Sequence, residues 1–597
     1  MSTYQAQLRF GTEIVPGGGG VRFRFYAPAA ERVEVWLDDR EPLGLASRAG
    51  GWFEATVPAA RSGTRYRFTV DGAEQLVPDP AARFQPEGVL GPSEVIDPAA
   101  YDWPSDGYVA PTWAEHVFYE LNVGTFTLEG TYAAAATRLP DLAALGITAI
   151  ELMPLAEFVG ERNWGYDGVL PYAPSRAYGT PRDLKDLVVA AHALGLAIYL
   201  DVVYNHFGPE GNFIGSYAPT FYTEEHHTPW GAAIAVEAQG RDDERAYFIE
   251  NACYWTGEYR FDGLRLDAVH AIYDGDDRHF LRELATTVAE RSDRPVHLVL
   301  ENARNEATLL EAGYAAQWDD DAHQVLHVLV TGESDGYYED YVEDPIARLG
   351  RVLTEGFAYQ GEHSKHEAGP RGEPSAHLPL ASFVAFLQNH DQVGNRAFGD
   401  RITDDASPAA VRAAVAIVLL APWTPLLFMG EEWAASTPFQ YFCDYEGELA
   451  DAVREGRRQE FATFANFSSE ADRARVPDPN AAGTHANSTL DWSERTVEPH
   501  ATWLTYYRDL LAIRRAEIVP HARNVRGTQA RFATFGDRGL RATWTLADGS
   551  LLVLETNLDD LPCAALVAVH GRTIFSTQPS LATGEPLGPW AVRWTRS

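Results

Sequence analysis

Eight short apolar runs, each ending in polar or ionisable residues, recur between residues 116 and 433 of this chain, and that rhythm limits the fold more than any other feature. The runs are HVFYELNVGTF (116–126), ITAIELMP (147–154), AIYLDVVYNH (197–206), GLRLDAVH (263–270), HLVLEN (297–302), AAQWDD (315–320), ASFVAFLQNHD (381–391) and TPLLFMGEEW (424–433). Amphipathic segments separate them. In one, Thr180 is the N-cap and Pro181 the first helical residue; Leu184, Leu187, Val188, Ala191 and Leu194 then share a face before Gly195 ends it. Eight strand-plus-helix units predict an α/β fold, a (β/α)8 TIM barrel, closed by a helix around 501–516.

The flanks carry a different period. VRFRFYAPAAERVEVWL (21–37), GGWFEATV (50–57) and TRYRFTVDG (64–72) alternate every second residue, which predicts an N-terminal β-sandwich over 1–107. Prolines at 80, 86, 92, 98, 104 and 111 stiffen the passage into the barrel, expected over 108–519. An insert at about 207–250, rich in Gly, Pro, Tyr and His, is expected to form a lobe over the active face. Alternation returns in RATWTLADGSLLVLETNL (541–558), so a C-terminal β-sandwich is expected over 520–597.

Charge narrows the partners. With 48 Lys and Arg against 85 Asp and Glu the net charge is −37, a poor match for nucleic acid or anionic lipid, whereas a neutral sugar polymer meets no such repulsion. No run of 18 apolar residues occurs, so no membrane partner is expected. The opening MSTYQAQLRFG lacks the pattern of a secretory signal, and Cys253, Cys443 and Cys563 suggest neither a disulfide framework nor a zinc site; the expected location is cytoplasmic.

In a barrel, reactive groups gather where strands end. Strand three ends in Asp201, Asn205 and His206, strand four in Arg265, Asp267 and His270, strand five in Glu301 and Asn302, and strand seven in Asn389, His390, Asp391 and Gln392. Alternation turns Arg265 and Asp267 to one face, and a guanidinium beside a carboxylate keeps it ionised, as a nucleophile requires. Glu301 follows an apolar stretch with no cation in its immediate sequence, a setting that raises a carboxyl pKa and suits a proton donor. Taken singly, each acid is an ordinary loop cap; Asp201 is expected among the substrate-binding residues and, with Arg265, is also open to reading as a structural pair. Together, such groups would cost stability unless function required them.

DVVYNH, GLRLDAVH, the Glu301–Asn302 strand end and QNHD resemble, in order, the four signature regions of the α-amylase family, glycoside hydrolase family 13. The resemblance covers roughly 112–515. It implies Asp267 as nucleophile, Glu301 as acid/base and Asp391 as a transition-state-stabilising third carboxylate. It also implies that His206, Arg265 and His390 contact the sugar in the cleaved subsite, that Tyr166 of Trp164-Gly-Tyr-Asp167 stacks on it, and that His270 serves the leaving-group side. Trp164 and Tyr166 are otherwise ordinary loop-packing aromatics.

PDPAARFQPEGVLGPS (78–93), ERNWGYDGVLPYAP (161–174), QWDDDAH (317–323), QNHDQVGNRAFGD (388–400) and FMGEEWAASTPFQYF (428–442) resemble the trehalose-releasing branch of that family. The branch resemblance extends the sugar contacts to Asp321, His323, Gln392 and Asn395, with Ala322 standing where the branch has an aromatic. It implies hydrolysis of the α-1,4 bond next to the terminal trehalose of maltooligosyltrehalose, with another α-glucan as the broader substrate class. The rival from the resemblance is a branching enzyme, which would transfer the chain to an α-1,6 acceptor; a glucan-binding protein on an inactive barrel is a second, opposed by the presence of all three carboxylates. Relatives often bind calcium after strand three, but FGPEGN offers few oxygen donors beside Asn205, so neither a required metal nor a cofactor is expected.

Overall fold

The computed structural model describes residues 8–597 apart from 39, 105–106, 238–239, 275–279, 464–466, 468, 565–569 and 579–584. The eight runs form the strands of one closed, all-parallel barrel: Phe118–Leu121, Ala149–Leu152, Ala197–Val202, Gly263–Leu266, His297–Leu300, Ala316–Trp318, Phe383–Phe386 and Thr424–Phe428. The last pairs with the first, Leu426 opposite Phe118. Every second residue points inward. Phe118, Tyr199, Val299, Trp318 and Phe386 pack the floor of the barrel. One step nearer the carboxyl face, the same period brings in Glu120 opposite Glu151, and Asp201 opposite Arg265.

The helix after the second strand unit forms as its caps dictate. Thr180 accepts from the Asp183 amide, Asp183 returns the bond in a capping box, and the helix runs Pro181–Ala193. The helix His500–Ile513 closes the outer ring against Pro408–Leu420.

Before the barrel, two four-stranded antiparallel sheets face each other. Val21, Phe23 and Phe25 point inward while Arg22 and Arg24 turn outward, and Phe25 meets Phe68 of the other sheet at 4.4 Å between ring centroids. After the barrel, the described residues form one five-stranded antiparallel sheet. Two tryptophans dock it: Trp544 donates to the Leu353 carbonyl at 3.0 Å and Trp594 to that of Ala416 at 3.2 Å, both on barrel helices.

The segment after strand three holds a short helix, Ile214–Tyr217, and a hairpin, Tyr222–Thr228 with Gly231–Ile234; the long helix Asp242–Glu258 then returns the chain to strand four. Aromatic pairs bind this segment to the N-terminal sandwich: Phe25 with Tyr217 at 4.7 Å and Tyr26 with Phe221 at 6.2 Å. The hairpin tip therefore reaches the barrel mouth with support from outside the barrel.

Candidate active site

Arg265 organises the mouth. It is fully buried, its guanidinium carbon Cζ lies 4.1 Å from the centroid of the Trp318 ring, and it contacts three carboxylates from three adjacent strands. Nη1 is 2.7 Å from both Asp201 Oδ2 and Asp267 Oδ1, and Nη2 is 3.7 Å from Glu301 Oε2. Asp267 and Glu301 are thus held beside one guanidinium on neighbouring strands.

Their environments separate the two carboxyls. Burial pushes Asp267 up, but Arg265, the Asn205 amide (2.9 Å to Oδ2) and His206 outweigh it and hold the group below the usual aspartate range. Burial raises Glu301, Arg265 and His270 pull it down, Asp267 and Asp391 push it up again, and the net direction is upward. Glu301 has no cation in its immediate sequence, but Arg265 reaches it from the adjacent strand; burial and two neighbouring acids prevail over that pull. Ala268, next to Asp267, takes the left-handed conformation (φ 40°), which costs on the order of 1 kcal/mol for a non-glycine residue. That turn aims the Ala268 N–H at Glu301 Oε2, 2.6 Å away.

The other expected residues divide into those that line the mouth and those behind it. Asp201 is buried and accepts from Arg265 and from the Tyr166 hydroxyl at 2.6 Å; burial lifts it toward about 7, and its place is that of the structural partner of Arg265. Tyr166, half-buried, stacks on the His390 ring at 4.9 Å. Gly165 makes the turn before it: φ is 110°, and a Cβ there would lie 2.1 Å from the Pro154 carbonyl oxygen. Trp164 is buried against Phe439 at 5.1 Å and donates to the Gln440 carbonyl, so it forms pocket wall rather than an open platform. His206 lies between the Tyr166 carbonyl, 3.0 Å from Nε2, and the Asn205 side chain. The Asn205 amide is thereby engaged within the site itself.

On the other side of Glu301, His270 accepts from the Ala303 amide at 3.3 Å through Nδ1. Asp391 is open to the cleft, 3.0 Å from Asn395 Nδ2 and 3.4 Å from His390 Nε2. Gln392 bridges Asp320 and the Tyr337 hydroxyl, at 3.4 and 3.5 Å. Asp321 and His323 are not in the cleft. Asp321 is fully buried and accepts from Tyr341, Arg371 (3.1 Å), Asn305 (3.0 Å) and the Ala358 amide (2.7 Å); His323 contacts the Leu387 carbonyl and the Tyr338 hydroxyl. Both hold loops in place. Their side chains are out of phase with the inward positions of strand six.

Two residues that sequence reasoning passed over face the cleft. Asp320, two residues past Trp318 at the start of the helix Asp320–Thr331, is half-buried and is lifted to about 7 by burial and by Glu301 and Asp391. Trp230, at the hairpin tip, is 50% exposed and lies parallel to the His206 ring at 5.1 Å, an aromatic face for a sugar ring.

Among the described residues one group of possible metal donors is found, Glu225 and His226 on the hairpin with Glu237 just after it. Among the described residues no helix is long and apolar enough to cross a membrane.

A closed parallel barrel with paired carboxyls of opposite electrostatic setting, preceded by a β-sandwich, defines an α-amylase-type glycoside hydrolase. The family model described as alpha amylase, catalytic domain, matches 103–229; carbohydrate-binding module 48 (isoamylase N-terminal domain) matches 9–98; and a domain of unknown function, DUF3459, matches 528–594. A malto-oligosyltrehalose trehalohydrolase of Deinococcus radiodurans is 45% identical over 87% of this chain and 85% of its own, and one of Arthrobacter ramosus 42% over 89% and 94%. This chain belongs to the malto-oligosyltrehalose trehalohydrolase family. A solved structure described as an alpha amylase of Salmonella typhimurium superposes with a TM-score of 0.93 and 41% identity, covering 99% of this chain and all of that one. A 1,4-alpha-glucan branching enzyme of Corynebacterium jeikeium is 32% identical over only 43% of this chain, a partial likeness that leaves the transferase alternative weak.

Proposed function

We propose that this enzyme hydrolyses the α-1,4 bond joining a terminal trehalose to a maltooligosaccharide, with retention at the anomeric carbon. The observation that carries the mechanism is the shared Arg265 guanidinium, which places Asp267 and Glu301 side by side with their carboxyls shifted in opposite directions. Asp267 attacks the anomeric carbon as Glu301 gives its proton to the departing trehalose oxygen, leaving a glycosyl ester on Asp267. Water then attacks that carbon, Glu301 takes the water proton, and Asp267 leaves as carboxylate. Retention of this kind needs the carboxyls about 5–5.5 Å apart. Asp391, open to the cleft, holds hydroxyls of the cleaved glucose.

The substrate assignment follows the names of the relatives and is tested by products. Trehalose release from maltooligosyltrehalose, much faster than glucose or maltose release from plain maltooligosaccharide of equal length, is the expected result; equal rates on both would remove the trehalose assignment. New α-1,6 links in amylose would move the enzyme to the transferases. Cys253, Cys443 and Cys563 form no disulfide with one another, which suits the reducing cytoplasm as the site of action.

Trp230 gives a separate expected outcome. Stacking of a sugar on an exposed indole is worth about 1–2 kcal/mol, so Trp230→Ala raises KM roughly five- to thirtyfold with little change in kcat. Initial-rate kinetics check this, and an unchanged KM removes the platform.

A further inference from the structure

Glu120 is a buried acid that the steps above do not use. It lies on the first barrel strand, 1% exposed, and points into the barrel beneath the mouth. Its two oxygens grip one residue 270 positions away: Oε2 accepts from the His390 backbone N–H at 2.9 Å, and Oε1 is 2.5 Å from His390 Nδ1. His390 is equally buried, its ring lies on Tyr166, and Nε2 is 3.4 Å from Asp391 Oδ1.

We propose that Glu120 is a positioning residue of the hydrolysis: it fixes the His390 ring by two hydrogen bonds and keeps both ring nitrogens as donors, so that Nε2–H always points beside Asp391 at the hydroxyls of the cleaved glucose. The inference rests on reading this pocket as the cleavage subsite. With Nδ1–H bound to Glu120, a neutral ring presents a bare Nε2, which accepts; only the cationic ring presents N–H there. Burial alone favours the neutral form and Arg265 opposes the cation. Asp391 and Glu120 on either side reverse this and raise His390 to about 9. The remaining acids facing the ring are Asp201, held by Arg265, and Glu151.

Glu151 completes the arrangement. It is opposite Glu120 on the next strand, neither of its oxygens has a hydrogen-bond partner among the protein groups, and burial followed by the Glu120 charge pushes it far above the usual range. A neutral Glu151 leaves the Glu120 charge directed at His390.

The experiment follows the His390 ring by NMR of histidine-labelled enzyme, its signal assigned by loss in His390→Asn, alongside the pH dependence of kcat/KM. In the unaltered enzyme the ring is doubly protonated at pH 7 and loses a proton near pH 9. In Glu120→Gln the His390 titration and the part of the alkaline limb that follows it both move down by about one pH unit or more. kcat/KM at pH 8 then falls about twofold for a shift of one unit and about tenfold for a shift of two, and it changes little at pH 6. Glu120→Asp, which keeps the charge, keeps the limb in place. A neutral His390 ring at pH 7 in the unaltered enzyme overturns the proposal whether or not the variants fold. So does Glu120→Gln with an unmoved titration, or a rate loss equal at every pH. The ring titration is read without substrate, so it fails or succeeds independently of whether trehalose is the product.

Discussion

Asp267→Asn lowers kcat on order of 10⁴-fold or more, roughly 5 kcal/mol of transition-state stabilisation, while the folded enzyme still binds its glucan. The carboxylate forms the covalent bond, and an amide at the same position cannot. Folding tolerates the change because Arg265 retains Asp201 at 2.7 Å and the asparagine oxygen still accepts from Nη1. The pH dependence of stability carries the sign of the assignment. Asp267 is held below its unfolded value, so its charge contributes stability that is present above the unfolded pKa and lost as pH falls through the folded one. In Asp267→Asn that part of the acid sensitivity disappears. The checks are kcat by product release, glucan affinity by calorimetry, and Tm against pH. Near-normal turnover would end the nucleophile assignment.

Much of the fold was legible because two periods are hard to confuse. Short apolar runs, which form strands of three to six residues, with amphipathic helices between them read as a barrel, and alternation before and after it reads as sheet. The Arg265–Asp267 pairing was legible for the same reason: residues two apart on a strand share a face. Applied to strand six, that rule leads from Ala316 and Trp318 to Asp320, the carboxyl found in the cleft. The resemblance to relatives pointed instead to Asp321 and His323, which the helix start turns into the protein behind the strand. What stayed hidden depends on distant chain meeting in space. Arg265 reaches Glu301 only because strands four and five are neighbours, Glu120 meets His390 only once the barrel closes, and Trp230 meets His206 only once the segment after strand three folds back over the mouth.

Glu301→Gln tests the other half of the chemistry, and its outcome depends on the leaving group. The Glu301 carboxyl is raised by burial and by Asp267 and Asp391 against the pull of Arg265 and His270, so it keeps its proton to higher pH than an exposed glutamate. The first step therefore needs the acid form and fails as pH rises through the folded pKa. Glutamine fills the same space and can still accept the Ala268 N–H, but it has no proton to give. Turnover of a substrate that leaves as trehalose falls about 10²–10⁴-fold. An α-glucosyl fluoride, whose leaving group departs without protonation, loses far less in that step. The part of the alkaline fall in kcat/KM that belongs to Glu301 vanishes in the variant, and the part that follows His390 is left. Azide, which attacks without a general base, restores breakdown of the ester on Asp267 and yields the α-azide, since a second inversion returns the original configuration. An equal deficit on both substrates with the alkaline limb unmoved would place the proton donor elsewhere. Asp320, lifted to about 7 by burial and by Glu301 itself, is then the carboxyl to replace next.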